Sequence, residues 1–304
     1  MDELTLNVRI SQRNPAIEGL RIVSAFAIVW FHAQIKGYEV AYAGLVTFIL
    51  FTFFFACGQN LHRPLVIVDL ACRLLVPWAI WWLVFAVVNL ALERPVLDLQ
   101  GGLIAGILTG PSVHLWYLPF IFMAIIVIDI LKLFLSTKEL ALIAGGIAIS
   151  LLLTVSVWRP PSCDLKTPWA QYAHALAPLA LGMLLGLARY GRIERFCLAL
   201  ALLVLVTGPA LAYEGVGLPY LIGTLAVITA FIFGHWRSLK CFDLTPWSGA
   251  MLGVYLVHPL ALGLVHHVTE HRGVLGVIFA FVLSLAFVRL FRHAAPRASV
   301  FVFG

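Results

Sequence analysis

Apolar stretches of about twenty residues recur along the whole 304-residue chain, broken by short polar or Pro/Gly-rich punctuation. They fall at 17–36, 41–58, 72–92, 114–133, 139–157, 172–189, 196–213, 217–234, 247–267 and 274–292. A helix rising 1.5 Å per residue needs about 20 residues to cross a hydrocarbon core of ~30 Å. Each stretch is therefore read as one span, and the chain as an all-α polytopic membrane protein of about ten transmembrane helices. Leu99–Gly110, within an outer loop at 93–113, is apolar but too short to span and is read as a re-entrant or interfacial piece.

Composition removes the alternatives. The chain is 62% hydrophobic and 11% charged, with a mean hydropathy of +1.01. Soluble globular domains are roughly 45–50% apolar and about 25% charged. A cytosolic enzyme, a disordered chain and a secreted disulfide scaffold are excluded. Ten spans leave little chain for a separate soluble domain, so residues 1–304 read as one integral membrane domain. The polar stretch 1–16 has no apolar core or small-residue cleavage site and reads as a cytoplasmic tail rather than a removable signal.

Charge sets the orientation. Of the 20 Lys and Arg, only Lys36, Arg94, Arg159, Lys166 and Arg272 fall on the side opposite the N terminus when ten spans are counted. The positive-inside bias then predicts both termini in the cytoplasm, and it accounts for the net charge of +6 without a nucleic-acid partner. Trp158, Trp169, Trp236 and Trp247 lie at predicted span ends, where amphipathic rings sit at headgroup level. Cys57, Cys72, Cys163, Cys197 and Cys241 are scattered singly and read as small packing residues. Gly182-x3-Gly186, Gly102-x3-Gly106 and Gly249-x3-Gly253 match the spacing for close helix approach. No internal repeat is visible, which disfavours a transporter built from duplicated halves.

Ionisable groups inside spans cost roughly 2.5–3.5 kcal/mol each on insertion scales and call for a reason. Arg21 and His32 stand eleven residues apart in the first span. That spacing leaves them about 20° apart around the helix and ~16 Å apart along it, with Glu18 one turn before Arg21 on the same stripe. One reading is a channel with a fixed cation at its mouth and an imidazole at depth. Arginine suits phosphate by its planar fork of donors, and a neutral imidazole accepts a proton. The other reading is a snorkelling arginine and an ordinary interhelical hydrogen bond.

His258, followed by Pro259, falls at a depth similar to His32, in a helix that can neighbour the first. The pair suggests a water-filled cavity, or else a hydrogen bond that fills the proline kink. His114 and Trp116 open the fourth span and are candidates for lining an outer vestibule. Asp129 is a candidate partner for an arginine or histidine. His266, His267 and His271 include an i,i+4 pair, but no carboxylate is placed beside it and no metal is expected. P-loop, GxGxxG, GxSxG and HExxH motifs are absent.

The run Glu18–His32, EGLRIVSAFAIVWFH, resembles the opening of the acyltransferase-3 family of integral membrane acyltransferases, with Arg21 and His32 on its R-x10-H pattern. RLLVPWAIWW at 73–82, HLWYLP at 114–119 and GVYLVHPL at 253–260 are similar to later family elements, in the expected order. Two departures stand out. The family's Arg-x-x-Arg pair entering the third span is here Leu70 and Arg73, and its Ser-Gly after the second span is Cys57-Gly58.

The resemblance implies a stand-alone bacterial inner-membrane enzyme that moves an acyl group from acyl-CoA, with acetyl-CoA the expected co-substrate. The acceptor would be a hydroxyl of a cell-envelope or exopolysaccharide sugar, lipid-linked in some cases. His32 would be catalytic, either as general base toward that hydroxyl or as the carrier of the acyl group itself. Arg21 and Arg73 would bind the donor, with Arg63, Arg289 and Arg292 as further candidates for its phosphates. His114, Trp116 and His258 would bind the acceptor. A proton-coupled transporter or flippase of an anionic substrate would use the same buried groups, but does not account for the four ordered motifs.

Overall fold

The computed structural model describes residues 14–58, 67–212, 217–233, 243–269 and 273–304, and no strand occurs among them. Every one of the ten apolar stretches coincides with helix. The long elements are α1 (Pro15–Ala33), then α2 (Tyr38–Ala41) running almost directly into α3 (Ala43–Gly58), and α4 (Ile67–Ala91). A short α5 (Leu103–Thr109) and a 3-10 turn at Val113–Trp116 lead into α6 (Tyr117–Phe134). The chain continues through α7 (Thr137–Leu153), α8 (Val155–Cys163), α9 (Trp169–Leu187), α10 (Arg192–Ala212) and α11 (Gly217–Phe233). It closes with α12 (Thr245–Ser248), α13 (Met251–Thr269), α14 (Val274–Ala294) and α15 (Pro296–Phe303).

Seven helical stretches among the described residues are long and apolar enough to cross a bilayer, and α7 with α8 makes an eighth only as a pair bent by 78°. The predicted spans at 196–213 and 217–234 are the helices α10 and α11, each of which borders residues outside the described ones. The predicted span 139–157 runs past the break at Thr154, where α8 turns away carrying Pro160 and Pro161. Large apolar side chains such as Leu83, Val87, Leu133 and Phe134 stand on the outside of the bundle, as they do when lipid is the solvent.

Helix ends follow local chemistry. Asn14 caps α1 by accepting a hydrogen bond from the Ala16 amide, with Pro15 in the first turn, and α1 ends where Gln34 turns left-handed. Ser136 and Glu139 form a reciprocal capping box on α7, satisfying amides that would otherwise lack partners. The predicted re-entrant piece is the seven-residue α5, whose Leu103 and Ile104 are exposed.

At the centre, α3 packs against α9, α11 and α1, while α13 and α14 flank α1, and α7 joins α9 to α10. Glycine makes the central contact close. A Cβ on Gly186 would lie 2.6 Å from the Phe54 carbonyl oxygen, and one on Gly182 would lie 2.8 Å from that of Leu50. The Gly182-x3-Gly186 stripe is therefore a backbone-to-backbone contact between α9 and α3. Gly253 meets Val288 of α14, whereas Gly249 faces its own short helix and Gly106 faces the loop carbonyl of Asp98. The other two stripes thus do not join helices along both of their glycines.

Asp129 pairs with neither arginine nor histidine. It accepts from Lys132 at 2.7 Å, and Lys132 also donates to the Ala56 carbonyl near the end of α3. Cys57 and Cys197 are buried packing residues, but Cys72 and Cys163 are exposed and free; Cys241, His271 and Trp236 lie outside the described residues. Replacing Gly186 by Ala is expected to lower thermal stability in detergent by ~1–3 kcal/mol, through overpacking against backbone. The same change at Gly146, where nothing lies within 4 Å, should stabilise by roughly 0.5–1 kcal/mol through helix propensity. Melting curves of the two variants beside the parent chain check both signs.

Candidate active site

α1 runs unbroken from Pro15 to Ala33, so the ~16 Å rise from Arg21 to His32 survives in the folded chain. Arg21 faces the buried Glu18 at 3.5 Å and lies 5.7 Å from the Phe55 ring centroid. The Glu18 carboxylate in turn accepts from Ser248 Oγ of α12. At the opposite end of α1, His32 lines a cavity of about 820 Å³. Phe31, Gln34, Tyr42, Trp116, Gln171, His174 and Tyr255 are among its walls. Aromatic faces and a few converging polar groups characterise a small-molecule site.

Three imidazoles meet behind this cavity. The His32 ring centroid is 4.9 Å from that of His258 and 6.4 Å from that of His114, and the latter two are 5.3 Å apart. Sequence position separates His32 from His258 by more than two hundred residues, and the α1–α13 contact brings them together. His114 differs from expectation. It is 1% exposed, so it is no vestibule group, because the 3-10 turn tucks it between Phe85, Tyr255 and His258. Trp116 does line the cavity and packs on Tyr117, Phe120 and Tyr172.

Pro259 explains the orientation of His258. A proline has no N–H, so the Tyr255 carbonyl four residues earlier loses its helical donor. His258 Nδ1 takes that place at 2.7 Å. A carbonyl only accepts, so Nδ1 carries the hydrogen and, in the neutral ring, Nε2 keeps its lone pair. The two sequence readings of His258, as kink filler and as a member of a polar cluster, are thus one arrangement. His258 Nε2 is buried with no hydrogen-bond partner, as is His114 Nε2. His114 Nδ1 sits 2.8 Å from Ser112 Oγ, and its backbone carbonyl accepts from the Tyr255 hydroxyl.

Tyr255 therefore serves twice, with its carbonyl fixing His258 and its hydroxyl fixing the turn that carries His114. The sequence pointed to it only as a letter in the GVYLVHPL element. Gln171 and His174 of α9 and Arg159 of α8 were also missed as site residues, since they reach the cavity only through the 78° bend and the packing of α8 on α9. Arg73 is exposed on α4, which packs against α6 and α15, and its side chain makes no hydrogen bond or ion pair among the described residues. Arg63 lies outside the described residues. Arg289 stacks over Trp247 at 4.2 Å, and Arg292 approaches Gly249. No group of three or more His, Cys, Asp or Glu among the described residues is placed to hold a metal ion.

Compared with known families, residues 14–293 match a family model described as an acyltransferase domain, that of acyltransferase-3. The comparisons with curated proteins and with solved structures return no match. The match covers both ends of α1, the histidine cluster and the cavity. His258→Asn keeps a side-chain N–H to donate to the proline-freed carbonyl but removes the Nε2 lone pair. Its melting temperature should stay close to that of the parent while acyl transfer falls at least about tenfold. His258→Ala should lose both. Equal transfer rates for parent and His258→Asn would remove the Nε2 atom from any part in the reaction.

Proposed function

The chain belongs to the acyltransferase-3 family, and we propose that it is an acetyl-CoA-dependent O-acetyltransferase acting on a sugar hydroxyl of the bacterial cell envelope or of an exopolysaccharide. It is an integral membrane acyltransferase. The donor and the acceptor are the steps taken beyond that. With the N terminus cytoplasmic, as the charge asymmetry predicts, Arg21 stands at the inner end of α1. There it can receive an anionic donor as bidentate, charge-assisted hydrogen bonds. His32 stands at the outer end, on the wall of the cavity.

The observation that carries the reading is this single rigid rod with a cation at one end and an imidazole at the other. Its rise of ~16 Å is comparable to an extended pantetheine arm, so a donor whose phosphates rest near Arg21 brings its thioester toward His32. The acceptor enters the cavity from the far side, its ring against Trp116 and its hydroxyls among Gln34, Gln171 and Tyr42.

His32 takes the proton of the acceptor hydroxyl as the oxygen attacks the thioester carbonyl carbon. The carbon–sulfur bond then breaks, and the departing thiolate takes the proton back from the imidazolium. A base placed in this way contributes about 10²–10⁴-fold. His258, with its Nε2 free, orients the imidazole of His32 from behind. Because the family is one of acyltransferases, nothing observed favours a carrier that would use the same groups.

Saturable binding of acetyl-CoA to the detergent-purified chain is the expected result, weakened at least about tenfold by Arg21→Ala and little changed by His32→Ala. His32→Ala should also abolish transfer to an envelope glycan fraction. Absence of binding at about millimolar acetyl-CoA in a folded sample would overturn the acyl-CoA reading. A second assay separates the two roles of His32. Radiolabelled acetyl-CoA supplied without acceptor should leave no label on the protein if transfer is direct, whereas label on the parent that is absent from His32→Ala would mark an acylated imidazole.

A further inference from the structure

The cavity wall carries charge that catalysis at His32 does not use. Arg159 of α8 lines the cavity. Its Nε is buried without a hydrogen-bond partner. Its Nη1 lies against the sulfur of Cys163, a weak and neutral acceptor. Among the described residues no carboxylate lies within ion-pair distance of it, and the ion pairs are Arg21–Glu18 and Lys132–Asp129. Glu39, the acidic residue in the cavity lining, is exposed on α2 and not paired with it.

The backbone that carries Arg159 is braced from α9. Ser162 Oγ donates to the Arg159 carbonyl at 2.7 Å and sits 2.8 Å from His174 Nε2. A hydroxyl has one hydrogen, so the second contact must run the other way, with His174 Nε2–H donating to Ser162. Trp158 packs on the His174 ring at 5.6 Å and donates to Leu151 across the bend. The Tyr220 hydroxyl fixes the His174 backbone. An arginine facing a cavity, with no carboxylate partner among the described residues, is an arrangement that binds a phosphate or carboxylate from outside the protein. Beside it, Gln171 Oε1 is buried and unpartnered, an acceptor suited to a sugar hydroxyl.

We infer that Arg159 binds an anionic group on the acceptor, a phosphate or a carboxylate borne by the sugar, so that the substrate is an acidic rather than a neutral glycan. This inference rests on the reading of the cavity as the acceptor site. The anion is held by Arg159 and a neighbouring hydroxyl by Gln171, while the hydroxyl to be acylated is turned toward His32. A uronic acid supplies a carboxylate and a glycosyl phosphate supplies a phosphate. The two are told apart by which probe binds.

The test is calorimetric titration of glucuronate, glucose 1-phosphate and glucose into the full chain in lipid-free detergent, with acetyl-CoA titrated in parallel. At least one of the two anionic sugars should bind about tenfold or more tightly than glucose. Arg159→Gln should erase that preference, and Arg159→Lys should retain part of it. Acetyl-CoA affinity should not change in either variant, which shows that both are folded. Equal affinity for the three sugars, no binding of any of them, or a preference that survives in Arg159→Gln overturns the inference while donor binding stands. Loss of acetyl-CoA binding in the parent chain with the anion preference intact would instead overturn the acyl-CoA reading.

Discussion

Pro259 removes one amide hydrogen from the middle of α13, and the site is arranged around the carbonyl thus freed. In a bundle interior without water a freed carbonyl must find a donor within the protein. His258 supplies it, and in doing so its ring loses the freedom to turn. The rotamer that satisfies the backbone leaves Nε2 unpaired and lays the ring beside His32. The Tyr255 hydroxyl extends the same constraint to the turn carrying His114. A gap in the helical hydrogen-bond ladder has become the orienting device of the histidine cluster.

The remainder of the bundle holds α1 where this cluster can meet it. A Cβ on Gly44 would lie 2.4 Å from the Ser24 carbonyl oxygen, so α1 lies against α3 almost backbone to backbone. The glycines of α9 do the same on the other side of α3. Close approach of main chains needs no hydrophobic driving force and suits a protein whose solvent is as apolar as its core. The polar residues can then be concentrated at the two ends of α1, with Glu18, Arg21 and Ser248 at one and the cavity at the other.

Much of this was legible in the sequence, for identifiable reasons. Periodicity locates helices well because a bilayer demands continuous apolar runs, and all ten stretches are helical. Where a run bends was less legible, since the break at Thr154 turns α8 away without changing composition much. The placement of Arg21 and His32 on one face followed from helical geometry alone, and α1 has the required unbroken form. His258 beside His32 was foreseeable from depth. His114 was misplaced, because a 3-10 turn of four residues gives no periodic signal and its side chain is buried only through tertiary contacts. Arg159 was out of reach for a similar reason, since a 78° bend brings to the cavity a residue that read as a loop, and His174, inside a predicted span, gave no sign of which way it faces.

The unbroken form of α1 also limits how this sequence can vary in length. A residue added or lost anywhere between Arg21 and His32 would turn one about 100° relative to the other and move it by 1.5 Å. Side-chain exchanges within the stretch can keep the register, but no insertion or deletion can, unless the helix bulges to absorb it. In the joints between helices, by contrast, the same change would displace neither residue. The protein thus carries a ruler of fixed length in its first span, and indels are expected to be absorbed in the joints between helices rather than there.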